Sequence, residues 1–99
     1  MAPRTMHLTN HYGESVRVVV FNEGALTTDN ITLDINDTRS LQIIGEVDGI
    51  IGFWDCDLEV TVYKIGEDAP KDQQIIQPGT SELNVIIKKG NTSPVILAE

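Results

Sequence analysis

The segment from Gly52 to Tyr63 constrains the fold more than any other part of the chain, because apolar and polar residues alternate along it. It also contains the only Trp and the only Cys of the 99 residues. Successive side chains of a β-strand point to opposite faces of a sheet, so this alternation predicts a half-buried strand. One face is apolar and is expected to line the core: Trp54, Cys56, Leu58, Val60 and Val62.

The opposite face of this predicted strand carries a row of carboxylates framed by two aromatic side chains. Phe21 occupies the outward face of an earlier strand and is expected to join them. Exposed apolar patches mark interaction surfaces, so we interpret this set as the candidate partner- or ligand-binding residues. The set is Phe21, Phe53, Asp55, Asp57, Glu59 and Tyr63. In the alternative interpretation, the carboxylates are simply the polar, solvent-facing side of a half-buried strand.

The rest of the chain predicts the same kind of element, since short alternating runs recur between turn residues. Ser15–Phe21 is a strong example and Leu83–Lys89 is another, whereas 22–30 reads as a polar loop. Asn36-Asp37 has the composition of a hairpin turn. Seven or eight such strands predict an all-β fold: a small antiparallel β-sandwich, immunoglobulin-like or similar, forming a single domain over 1–99.

Composition excludes several partners. The net charge is −8, with seven Lys and Arg against fifteen Asp and Glu, so we expect no nucleic-acid binding. No apolar run approaches the roughly 20 residues that span a bilayer, so we expect no membrane insertion. The first residues lack the apolar stretch of a signal peptide, which predicts a cytoplasmic location unless a leader has been removed.

Catalytic and metal-binding motifs are absent from the sequence, so we expect neither an enzyme nor a cofactor. Same-face neighbours on a strand lie roughly 6.5–7 Å apart. Calcium–oxygen distances are about 2.3–2.6 Å, so Asp55 and Asp57 would need additional loop oxygens to hold calcium. Cys56 shares its face with apolar residues and is interpreted as a packing residue. The spacing of His7 and His11 indicates no site by itself.

The residues therefore predict a non-catalytic protein-binding or self-assembly module. It would act through an exposed aromatic and apolar patch, or through an unpaired sheet edge that accepts a further strand. A carbohydrate- or calcium-binding, lectin-like sandwich is the alternative. In that case Phe53 or Tyr63 would stack on a sugar ring, and Asp55, Asp57 or Glu59 would accept hydrogen bonds from its hydroxyls.

Overall fold

The computed structural model describes residues 4–23, 26–43, 46–47, 50–51, 57–77 and 82–98, and every regular element within these ranges is a strand. Trp54, Cys56, Phe53 and Asp55 lie outside the described residues. The strands are β1 (Arg4–Asn10), β2 (Val16–Asn22), β3 (Thr27–Leu33), β4 (Thr38–Ile43), β5 (Glu46–Val47), β6 (Ile50–Ile51), β7 (Leu58–Lys64), β8 (Asp72–Ile76), β9 (Leu83–Lys89) and β10 (Pro94–Ala98). In the part of the chain described, no helix is long and apolar enough to cross a membrane.

Eight of these strands form two four-stranded sheets, and the fold is a small β-sandwich, as the sequence predicts. One sheet has the order β10-β9-β1-β4 and the other has the order β3-β2-β7-β8, while β5 and β6 pair with each other. Neighbouring strands run antiparallel, with the exception of β1 and β9, which are parallel. The β3-β2-β7-β8 sheet holds most of the described candidate residues.

The core lies between the inner faces of the two sheets, and its side chains follow the alternation of the sequence. In β2, buried and half-buried residues alternate without a break. The described part of the predicted apolar row is buried as expected, since Leu58, Val60 and Val62 are 0% exposed. The other sheet contributes Met6, Leu8, Ile43, Leu83, Val85, Ile87 and Ile96. The core therefore fixes which side chains of β2 and β7 must point outward.

Two sequence interpretations between β2 and β4 are wrong. The second half of the predicted polar loop belongs to β3, which begins at Thr27 and pairs with β2 along its whole length. The turn at 34–37 is not a hairpin, because β3 and β4 belong to different sheets and the chain crosses between them there. Asn36 adopts a positive φ of 59° in this turn, and Ile35 is left 54% exposed.

Asn10 ties this crossing to the neighbouring β1–β2 turn through a fully buried side chain. Its Nδ2 donates to the backbone oxygens of Glu14 at 2.8 Å, Leu33 at 3.2 Å and Asp34 at 3.1 Å. Its Oδ1 accepts from the backbone N–H of Tyr12 at 2.9 Å. A buried amide is stable only when its donors and acceptors are satisfied, and this one joins both sheets at the same end of the sandwich.

On one side of the sandwich, β10 and β8 bring the two sheets together. The backbone N–H of Ile96 donates to Asp72 Oδ2 at 2.8 Å, and the N–H of Gln73 donates to Oδ1 at 2.9 Å. A strand at the edge of a sheet presents unpaired backbone groups, which invite pairing with another chain. The Asp72 carboxylate therefore accepts a hydrogen bond from a backbone N–H on the outer edge of β10, and this N–H is not available to another chain.

Candidate functional site

The outward side chains of β3, β2, β7 and β8 form one continuous surface, which we call the aromatic face. Because the core fixes the inward residues of β2 and β7, the residues between them must point away from it. The strand register then places the outward residues in adjacent rows. The aromatic face consists of Arg17, Val19, Phe21, Thr28, Asn30, Thr32, Glu59, Thr61, Tyr63, Gln73 and Ile75.

The first row of the aromatic face runs across all four strands. Phe21 on β2 lies opposite Thr28 on β3 and opposite Glu59 on β7, and Glu59 lies opposite Ile75 on β8. Directly opposed residues on one face have Cβ atoms about 4.5–5.5 Å apart, so these side chains are neighbours. Phe21 and Glu59 are half-buried, whereas Ile75 is 46% exposed. An aromatic and an aliphatic side chain thus flank a single carboxylate.

The third row is built on a stacked pair. Arg17 lies opposite Tyr63, and its guanidinium carbon is 4.1 Å from the centre of the Tyr63 ring. A guanidinium over an aromatic face is attracted by the negative charge of the ring's π system. Both side chains are half-buried, so each limits the motion of the other. The stack holds Tyr63 in one orientation and covers one side of its ring.

The middle row separates the two aromatic side chains with smaller groups. Val19 lies opposite Asn30 and opposite Thr61, and Thr61 lies opposite Gln73. Gln73 Nε2 donates to Thr61 Oγ1 at 3.1 Å, and this hydroxyl belongs to a residue only 8% exposed. The row therefore contributes one aliphatic side chain and three polar, uncharged ones: Asn30 on one side of Val19, and Thr61 and Gln73 on the other.

The structure brings together three of the six predicted site residues: Phe21, Glu59 and Tyr63 lie on the aromatic face. Asp57 precedes β7 and is half-buried, and its backbone oxygen accepts from the N–H of Glu23 at 3.3 Å. Phe53 and Asp55 lie outside the described residues, so their part of the prediction stays a prediction.

Sequence reasoning missed two contributors to the aromatic face. The stacking of Arg17 on Tyr63 could have been proposed from the alternation of β2, which places residues 17, 19 and 21 on one face. Nothing local to β8 indicated that Ile75 would join Phe21, because the pairing of β8 with β7 becomes apparent only in three dimensions.

Charge on the aromatic face is balanced, unlike charge on the chain as a whole. Its charged residues are Arg17 and Glu59, one of each sign, whereas the whole chain has a net charge of −8. Among the described residues, no group of three or more His, Cys, Asp or Glu is arranged to hold a metal ion. The described part of the acidic row therefore gives the calcium interpretation no support.

Comparisons of the chain with protein-family models, with curated proteins and with solved structures found no match.

Proposed function

We propose that this chain is a protein-binding module, that its aromatic face is the contact surface, and that a second copy of the chain is one such partner. The observation that carries the proposal is the position of Phe21, Tyr63, Val19 and Ile75 on one sheet face. A sheet face of this kind can lie flush against another protein surface, and its apolar side chains lose contact with water when it does.

Three side chains of the aromatic face, Phe21, Tyr63 and Arg17, are of the types that are enriched at protein interfaces. Burying apolar surface contributes about 25 cal/mol per Å², and aromatic side chains bury the largest areas. Tyr and Arg are also over-represented among the residues that contribute most to binding. The Arg17–Tyr63 stack supplies both, and it is already ordered in the free chain. Less conformational entropy is therefore lost when a partner binds.

The charge distribution supports self-association in particular. Two copies that each carry a net charge of −8 repel each other, and this repulsion is least where the surface itself is neutral. Arg17 and Glu59 make the aromatic face such a surface. Salt screens charges separated by more than about 8 Å at physiological ionic strength. Association through this face should consequently strengthen as salt is added.

The edge of β3 offers a second route to the same function. Its seven residues, Thr27–Leu33, contain neither Lys nor Pro, the residues that commonly protect edge strands from pairing. On the opposite side of the sandwich, by contrast, the edge strand β10 donates the N–H of Ile96 to the Asp72 carboxylate. A strand added to β3 would extend the β3-β2-β7-β8 sheet and enlarge the aromatic face.

Carbohydrate binding is the second candidate function. It is favoured by the polar middle row, in which Asn30, Thr61 and Gln73 place amide and hydroxyl groups between the two aromatic side chains. Arg17 covers one side of the Tyr63 ring, which leaves a single side for stacking on a sugar. For this reason a protein partner is the better-supported proposal.

Sedimentation velocity over a range of protein and salt concentrations tests the proposal. We expect the weight-average sedimentation coefficient to rise with protein concentration, more steeply at high salt, and Phe21→Ser to abolish the rise. Leu97→Ser is the matched control, because Leu97 is 37% exposed on the outward face of the other sheet. A monomer at every concentration, or an equal loss in both variants, would contradict self-association through this face.

Screening the same two variants against a panel of neutral sugars separates the two candidate functions. Sugar binding that is lost in Phe21→Ser and kept in Leu97→Ser, by a chain that stays monomeric, would replace the protein partner with a carbohydrate.

A further inference from the structure

Three side chains with complementary acid–base chemistry meet on the outward face of the other sheet, opposite the aromatic face. His7 on β1 lies directly opposite Ser40 on β4, and the His7 Nδ1 is 2.8 Å from the Ser40 Oγ. On the other side of the imidazole, His7 Nε2 is 3.7 Å from an Oε2 of Glu82, which precedes β9. A hydroxyl, an imidazole and a carboxylate thus lie next to one another in space, with the imidazole in the middle.

The neutral imidazole of His7 has two tautomers, and Ser40 can donate to Nδ1 in only one of them. A neutral imidazole carries one N–H, and the carboxylate of Glu82 favours that proton on Nε2, where the two can attract. Nδ1 is then left as the acceptor, and the hydroxyl of Ser40 donates to it. This is the protonation state in which an imidazole can act as a general base toward serine. Glu82 is accordingly a positioning residue for His7.

A reagent from solution can reach the serine. Ser40 is exposed, and β4 is the edge strand of its sheet, whose only neighbour among the described strands is β1. The side chain of His7 is 31% exposed and that of Glu82 is 75% exposed. Gln42, two residues further along β4 on the same face, donates from Nε2 to Thr5 Oγ1 at 3.3 Å.

We propose that Ser40 is an activated nucleophile that accepts an acyl group from activated esters, a reactivity beyond the binding role of the aromatic face. The Oγ–H proton of Ser40 passes to His7 Nδ1 while Oγ forms a bond to the ester carbonyl carbon. The ester C–O bond then breaks, and the leaving oxygen departs with the electron pair of that bond. His7 releases its proton to the leaving group or to water.

The second half-reaction restores the serine. A water molecule attacks the acyl carbon of the acyl-serine while its proton passes to His7 Nδ1. The bond between Ser40 Oγ and the acyl carbon breaks, the serine oxygen recovers the proton, and a carboxylic acid leaves. The site lies on an open sheet face that does not exclude water. We therefore expect Ser40 to accept a wide range of small acyl groups and the acyl-serine to be hydrolysed slowly.

Acylation by p-nitrophenyl acetate, followed by peptide mass spectrometry, tests this inference. We expect one acetyl group on the peptide that contains Ser40, and none there in Ser40→Ala. His7→Gln should slow acetylation of Ser40 by about 10²-fold or more, as expected when a general base is lost. Glu82→Gln should slow it by less, because the imidazole remains and only its preferred protonation state is lost.

Two matched variants serve as controls for non-specific acetylation. Ser15→Ala removes a serine whose Oγ donates to Asp34 Oδ1 at 3.3 Å, and His11→Gln removes the other imidazole of the chain. Neither should change the rate at Ser40, and all variants should keep the wild-type circular dichroism spectrum. Acetylation confined to lysines, or a rate at Ser40 that does not respond to His7→Gln, would overturn the inference. Neither result would affect the proposal for the aromatic face, which lies on the other sheet.

Discussion

Replacing Asn10 tests the structural account most sharply, because its amide forms four hydrogen bonds at one junction of the two sheets. The side chain is fully buried, and its Nδ2 is shared among three backbone oxygens. Asn10→Ala removes all four bonds. Asn10→Asp keeps the size and the acceptor but replaces the donor with an oxygen that faces three carbonyl oxygens.

The expected loss in the free energy of unfolding follows from how deeply each of the four hydrogen bonds is buried. A hydrogen bond contributes about 0.5–1.5 kcal/mol net, and a buried group left without a partner costs about 1–3 kcal/mol. The bonds to the backbone groups of Leu33 and Tyr12 are buried, so these two groups lose their Asn10 partner. The bonds to Glu14 and Asp34 are part-buried, so water can replace the amide there. We expect Asn10→Ala to lower the free energy of unfolding by about 3–5 kcal/mol. Asn10→Asp should lower it at least as much at neutral pH.

Urea denaturation followed by circular dichroism measures both variants, and Asn84→Ala is the matched control. Asn84 is an exposed asparagine near the start of β9, where a substitution should change the free energy of unfolding by no more than about 0.5 kcal/mol. A loss below about 1 kcal/mol in both Asn10 variants would refute the reasoning. The hydrogen bonds of Asn10 would then be replaceable by water or by a small backbone shift.

Three further predictions follow from the same structure. Asp72→Ala removes the acceptor for the N–H of β10, and we expect a loss of about 1.5–3 kcal/mol in urea together with concentration-dependent aggregation. Leu8→Ala, at a fully buried position, should cost about 2–5 kcal/mol, whereas Leu26→Ala, at a position 79% exposed, should leave the urea midpoint unchanged. The hydrogen bond from Lys71 lowers the pKa of the Glu67 carboxyl. The ion pair therefore stabilises the fold at pH values above the ordinary carboxyl pKa, and this stabilisation is lost as pH falls through the lowered pKa. Glu67→Gln should therefore be slightly less stable than the wild type at neutral pH and equally stable in acid, as measured by thermal melts; a difference that persists in acid would contradict the ion-pair explanation.

The alternation of the sequence was enough to predict the class of fold and the direction of many side chains. Val16, Val18 and Val20 are buried as their spacing indicated, and so are Leu83, Val85 and Ile87. The period of two residues has a direct cause, since one side of each strand packs on the core and the other meets solvent.

The sequence could not predict which strands are neighbours. Thr27–Asn30 was missed because this half of β3 is exposed on both sides, with Asp29 on the inward side, so the apolar alternation is absent. The parallel pairing of β1 with β9 joins residues about 77 positions apart, as Met6 and Leu83 show, and no local pattern encodes it.

For the candidate site too, the direction of the side chains was predictable and their proximity was not. The outward direction of Phe21, Glu59 and Tyr63 follows from alternation, but their proximity depends on the register between β2 and β7. The contact between His7 and Ser40 has the same origin, because the two residues are 33 positions apart and meet only through the pairing of β1 with β4. Spacing in the sequence therefore indicated no role for His7.

Methyl resonances in two-dimensional NMR spectra, followed as the wild-type protein is diluted, test the central claim most directly. Val19 and Ile75 report on the aromatic face, whereas Val95 and Leu97, each 37% exposed on the outward side of β10, report on the opposite face. If the aromatic face is the contact surface between copies, the resonances of Val19 and Ile75 shift with dilution while those of Val95 and Leu97 stay in place. Shifts confined to Val95 and Leu97, or no shift at any of the four, would contradict that claim.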